Sequence, residues 1–165
     1  MKSWLFAAAL LFAPVAARSQ KTFTTVKDAP EKALKAFNEG RFALQQGDVA
    51  GAIRYYRKAV EADATFVDAW IYLGGAHKDS AHWSDAETAF ETALQLAPAY
   101  EMRVYPLLAG VEWEQDKFAE AAKHYKDYLD SDHGSERDRT ETKRRYANAA
   151  FAMEAIKHPV PFLPE

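Results

Sequence analysis

The sequence predicts an all-α chain built from repeated helical hairpins. Three observations lead there. Among its 165 residues, alanine, leucine, glutamate, lysine and tyrosine dominate, while glycine (seven) and β-branched residues are scarce, a composition that favours helix. Ala52, Ala86 and Ala121 fall 34 and 35 residues apart, and the same offsets align Tyr56, Phe90 and Tyr125. They also align Ala59, Ala93 and Tyr128, then Val60, Leu94 and Leu129. A fixed period of this size marks stacked units that cannot bury their apolar faces alone.

In chain order, the helices are expected near 30–46, 49–62, 66–80, 83–96, 100–115, 118–131 and 136–157. Asp28-Ala29-Pro30-Glu31 reads as a capping box with proline in the first turn of the first helix. Gly47-Asp48 reads as a helix stop followed by a new cap, and Asp116 as the cap of the sixth helix. Pro106 is expected to kink the fifth helix or delay its start. In the last helix Tyr146, Ala149, Ala150 and Met153 fall at i, i+3, i+4 and i+7, with Ile156 continuing the face. Arg137, Arg139, Lys143, Arg144 and Arg145 are expected either to pair with Asp127, Asp130 and Asp132 or to form a docking patch.

The middle copy carries the most specific residues: Trp70, Leu73 and Gly74 open it, Ala86, Phe90 and Ala93 follow, and Pro98 closes it. Over roughly residues 33–132 the chain resembles the tetratricopeptide repeat. That resemblance implies a right-handed solenoid of three helix pairs (about 33–66, 67–100 and 101–134) and a closing helix at 136–157. It also implies a concave groove lined by the first helix of each pair. Carried onto this chain, the groove takes Phe37, Asn38 and Arg41 from the first repeat, Tyr72 and Lys78 from the second, and Arg103, Leu107 and Trp113 from the third. Chaperone-binding relatives hold a C-terminal carboxylate with lysine and asparagine at set groove positions. Here those positions are Phe37, Arg41, Tyr72, Arg103 and Leu107, so that clamp is largely missing.

Lys2, the apolar run Trp4 to Ala17 and the small residues of Ala17-Arg18-Ser19 have the layout of a cleaved signal peptide over 1–19. The run is shorter than the roughly 20 residues that span a bilayer. Residues 20–29 are expected as a linker. The tail 158–165, with prolines at 159, 161 and 164, is expected to be extended. The signal peptide, three repeats, closing helix and proline–valine–proline–phenylalanine exit together resemble the start of Gram-negative envelope proteins. Those proteins continue into a β-propeller and an OmpA-like peptidoglycan-binding domain, and some belong to type IX secretion. The resemblance implies an exported protein, periplasmic or associated with the outer membrane.

The sequence opposes other chemistry. There is no cysteine, hence no disulfide or thiolate metal site. The formal charge of −3 opposes nucleic-acid binding. Asp130 to Glu141 imitates a calcium loop, but Gly134 and Ser135 stand where a ligand and the turn glycine are needed. His77 and His82, five residues apart, are expected to diverge and hold no metal. No phosphate loop, serine elbow or acid–base pair can be identified. The expectation is a non-enzymatic binding scaffold without cofactor, its partner a protein or peptide of the cell envelope. The competing expectation is a structural or self-associating module with no groove ligand.

Overall fold

The computed structural model describes residues 23–99 and 102–158; the expected signal peptide and all of the expected extended tail but His158 lie outside them. Seven helices follow in order: α1 (Glu31–Gln45), α2 (Val49–Ala62), α3 (Val67–Asp79), α4 (Trp83–Leu96), α5 (Val104–Trp113), α6 (Phe118–Asp130) and α7 (Glu136–Lys157). Each packs mainly on its chain neighbours, α1 on α2 through α6 on α7. This is a helical solenoid, and among the described residues it contains no strand beyond one isolated bridge.

The repeat register is visible in the packing. Ala52, Ala86 and Ala121 are all fully buried, as are Tyr56, Phe90 and Tyr125 to within a few per cent. In the first two units a glycine lets the paired helices approach. A Cβ at Gly40 would stand 2.6 Å from the Tyr56 ring, and one at Gly74 would stand 2.7 Å from Phe90. Ala109 takes the equivalent place beside Tyr125.

Each hairpin turn also repeats. Gly47, Ala81 and Asp116 all adopt positive φ, at 77°, 55° and 59°. Asp48 then caps α2, accepting from the Gly51 N–H at 2.7 Å. Asp116 does not cap α6 as the sequence led us to expect. It occupies the left-handed turn position itself, and Lys117 precedes the helix with no side-chain cap. Asp28 likewise does not cap α1. Its carboxylate closes its own turn, accepting from the Thr25 N–H (2.7 Å) and hydroxyl (2.8 Å), and Pro30 holds the cap position. Pro106 delays α5 rather than kinking it. It is the third residue of that helix, where its missing N–H breaks no intrahelical bond.

Ser135 and Asp138 form a reciprocal capping box at the start of α7, after Gly134 at φ 89°. Arg139 then donates to the carbonyls of Leu129 (2.7 Å) and Ser131 (2.5 Å), satisfying the end of α6. The α7 basic residues therefore do not pair with Asp127 and Asp130, which bind Lys123 and Lys126 one turn away on α6. The expected apolar stripe also ends early. Ala149 is buried against α5 and α6, but Ile156 is 65% exposed because α7 outruns its neighbours.

The stretch read as a linker is, over 23–29, a strap across the solenoid edge. Thr24 exchanges backbone hydrogen bonds with the α2–α3 turn, donating to Thr65 (2.8 Å) and accepting from Val67 (3.0 Å). Its hydroxyl donates to the Asp63 carboxylate. Phe23 packs against Val67, Ala93 and Ala97.

Candidate functional site

The curvature of the stack leaves a hollow of about 650 Å³ on the side lined by α3 and α5. Asp68, Ile71 and Tyr72 of α3 form one wall, and Arg103 with Val104, Pro106 and Leu107 of α5 form the floor. Tyr128 of α6 and Asp138, Glu141, Thr142 and Arg145 of α7 close the far end. Tyr72 and Leu107 occupy the same register position in successive repeats, and they remain 39% and 37% exposed.

Much of the charge around this hollow is already engaged. Glu141 accepts from Arg144 (2.7 Å) and Arg145 (2.8 Å), which together hold its carboxyl down at about 2. The Ser135 hydroxyl and backbone N–H hold Asp138 below the usual carboxylate range. Asp68 accepts from the Val26 N–H at 2.9 Å, so the strap reaches the rim. Burial pushes the Tyr128 phenol up. What stays open is a largely apolar surface of Ile71, Tyr72, Pro106 and Leu107, with Arg103 beside it and compensated carboxylates around it.

Of the residues expected in the groove, the structure brings together Tyr72, Arg103 and Leu107. Phe37 is a correction: it is 1% exposed and lies in the core. The reason is a cluster of rings, with Phe66 at 5.1 Å, Tyr56 at 5.7 Å and Tyr72 edge-on at 5.1 Å. Phe37 thus props Tyr72 instead of meeting a ligand. Asn38 stands at the register of Tyr72 but lines a separate hollow at the first repeat, beside Phe42 and Glu39. Arg41 is exposed on α1, and Lys78 pairs with Asp79 at 3.0 Å; neither lines the groove. Trp113 packs against Phe118 at 4.9 Å and borders a small hollow of about 210 Å³ with Arg144 and Arg145.

Of the α7 residues here, the docking-patch alternative anticipates Arg145 alone; Asp138, Glu141 and Thr142 are not among the expected groove residues. Asp138, Glu141, Thr142 and Arg145 fall at i, i+3, i+4 and i+7, so a polar stripe at helical spacing was there to be found.

The expectation that His77 and His82 diverge is also overturned. The left-handed Ala81 turns the chain back, and the two Nδ1 atoms lie 3.3 Å apart. Asp85 Oδ2 is 3.7 Å from His77 Nδ1. Burial lowers the His77 pKa, and the nearby His82 and Arg57 add to this against the opposing pull of Asp85. Among the described residues this is the group of three whose ligand atoms could share an ion. Elsewhere the buried Glu112 meets His124 Nδ1 at 2.8 Å, a carboxylate matched by one imidazole.

A family model described as tetratricopeptide repeat matches residues 43–111, and a second so described matches residues 7–65. The first TPR of Spaghetti (RPAP3), solved bound to the HSP90 peptide SRMEEVD, is similar in structure with a TM-score of 0.68. It is 22% identical and covers 77% of this chain and 96% of its own. The Sgt2 TPR domain from Aspergillus fumigatus has a TM-score of 0.67 at 18% identity, covering 86% of this chain and 93% of that one. The TPR2B domain of yeast Sti1, in a pHsp70 complex, has a TM-score of 0.65 at 17% identity, with 74% and 98% covered. These matches indicate no catalytic family. The two repeat models, the 34- and 35-residue register and the paired-helix stack agree: the chain carries a tetratricopeptide-repeat domain.

Proposed function

We propose that this protein is a non-enzymatic scaffold that grips a segment of a partner protein in the α3–α5–α7 hollow. The observation that carries the reading is the pair Tyr72 and Leu107, large apolar side chains left exposed at one repeat register over an apolar floor. Tyrosine is a typical interface hot spot, and an apolar groove accepts the apolar side chains of a partner segment. Similar domains in solved structures hold an HSP90 peptide and a pHsp70 partner. Here the groove offers Tyr72 and Leu107 instead of a row of cations. The fitting ligand is therefore a short segment with one or two apolar anchors flanked by charges of either sign, not a bare acidic C-terminus.

The leader-like start at Lys2 and Trp4 to Ala17 supports export, and we place the scaffold in the periplasm, serving an envelope or type IX secretion assembly. Peptides selected from a random display library against the chain provide the test, with binding read by fluorescence anisotropy. Tyr72→Ala and Leu107→Ala are each expected to weaken a selected peptide at least about tenfold, or 1.4 kcal/mol. Unchanged affinity in both variants removes the groove from the function.

Self-association is the competing reading, and exposed Phe42 and Phe151 favour it. Light scattering over a range of concentrations decides it, because a groove binder stays monomeric and a self-associating module does not.

A further inference from the structure

The three hairpin corners of the solenoid are built to one plan, and the middle one carries chemistry that the others lack. His77, His82 and Asp85 occupy register positions filled by Ala43, Asp48 and Gly51 in the first repeat and by Glu112, Lys117 and Glu120 in the third. Ala43 is buried at its corner just as His77 is, so the packing there does not require an imidazole. Asp48 serves its helix as a cap, and Lys117 binds Glu87 at 2.6 Å. His82 makes no capping hydrogen bond to α4. Its ring instead turns toward His77, with the centroids 5.6 Å apart.

Two imidazole Nδ1 atoms 3.3 Å apart cannot both aim lone pairs at each other. Either one ring donates its Nδ1–H to the other, or a metal ion takes that proton's place between them. We propose that His77, His82 and Asp85 form a three-ligand site for a zinc-class divalent ion. With metal–nitrogen distances of about 2.0–2.1 Å, a separation of 3.3 Å subtends roughly 105–110° at the ion, close to the tetrahedral angle. Asp85 Oδ2, 3.7 Å from His77 Nδ1, supplies the third vertex. The ligand atoms all lie within 4.8 Å of one another.

Two nitrogens and one carboxylate suit zinc and its borderline neighbours, not calcium or magnesium, which demand oxygen cages. All three ligands belong to one hairpin, which fixes the geometry before the ion arrives. His77 is buried while His82 and Asp85 are exposed, so the ion has an entry path and a fourth position open to water. Glu61 and Arg57 of α2 border a crevice of about 320 Å³ that His77 and Asp85 also line, and set opposing charges beside those two ligands.

The test uses the tag-free full chain after chelator treatment, titrated with Co²⁺ and read by its visible d–d absorption, with Zn²⁺ as competitor. Intense bands of tetrahedral type, bleached by zinc, are expected. His82→Ala and Asp85→Asn, both at exposed positions, should each weaken binding by roughly tenfold or more, while exposed His133→Ala leaves it unchanged. Circular dichroism confirms that the variants are folded. Absent bands in the wild-type chain mean a proton bridges the two rings and overturn the proposal. So does binding of equal strength in either His82→Ala or Asp85→Asn.

Discussion

Gly74 and Gly75 are adjacent on α3, yet replacing each with alanine should move stability in opposite directions. At Gly75 an added Cβ meets no atom within 4 Å. Alanine there gains only helix propensity, about 0.5–1 kcal/mol. At Gly74 the same Cβ would lie 2.7 Å from Phe90 Cε1, 2.8 Å from Cδ1 and 3.1 Å from Cγ. Normal carbon contacts begin near 3.5 Å, so the ring must retreat by roughly 0.8 Å. It has little room to do so, because Phe90 is fully buried and packs with Ala86, Val104, Leu108 and Val111. Overpacking of this kind costs about 1–3 kcal/mol, which exceeds the propensity gain. Urea and thermal melts followed by far-ultraviolet circular dichroism should put Gly75→Ala above the wild type. Gly74→Ala should fall below it, the two differing by roughly 5–10 °C. If both variants shift the same way, or Gly74→Ala melts at or above the wild type, close helix approach at this glycine is not what the repeat register encodes.

Three further outcomes follow from local geometry. Ala81, held at φ 55°, should gain about 0.5–1 kcal/mol on replacement by glycine, measured by the same melts. Tyr56 Oη is buried with no hydrogen-bond partner among the described residues, and burial, with nearby Tyr72, pushes its pKa up to about 12; Tyr56→Phe should be neutral or stabilise by about 1 kcal/mol. Burial raises the Asp63 pKa, but hydrogen bonds from Thr24 and Thr65 outweigh it and leave the carboxyl below its ordinary 3.8. Its stabilising contribution is therefore complete above that value and is lost as pH falls through the lower folded one. Thr24→Val should raise the Asp63 pKa, read by carboxyl NMR, and speed hydrogen exchange at the Val67 N–H that donates to Thr24.

What the sequence discloses is what repeats or lies close in the chain. The alanine and aromatic register needed only a constant offset, and Gly47 announced a left-handed turn because glycine adopts it freely. Ala81 and Asp116 hold the same turn without that signature, since the hairpin imposes the conformation on residues that do not prefer it. That hidden turn is why His77 and His82, expected to diverge, meet. Phe37 was misplaced for a different reason. Register assigns a helix face, but whether that face stays open depends on what the next repeat lays over it, and Tyr72 with Phe66 covers it. The strap was unreadable because Thr24 pairs with residues some forty positions away that carry no periodic mark.

Strap and closing helix bring polar groups to the same hollow. Val26 of the strap ties Asp68 at one wall, while on α7 the capping box sets Asp138 and two arginines hold Glu141 at the other. Each carboxylate is held by backbone or arginine donors, so bringing a partner near it breaks no new hydration shell of an unpaired charge. The hydrophobic drive for binding is then left to Tyr72, Ile71, Pro106 and Leu107, and specificity to the shape that α7 gives the far end. On this arrangement, removing the α7 charges should alter which segments bind more than how tightly the apolar floor holds them. Glu141→Gln, which loosens both arginines at once, is the change that separates these effects: the anchor preference of selected peptides stays and the flanking charge preference shifts.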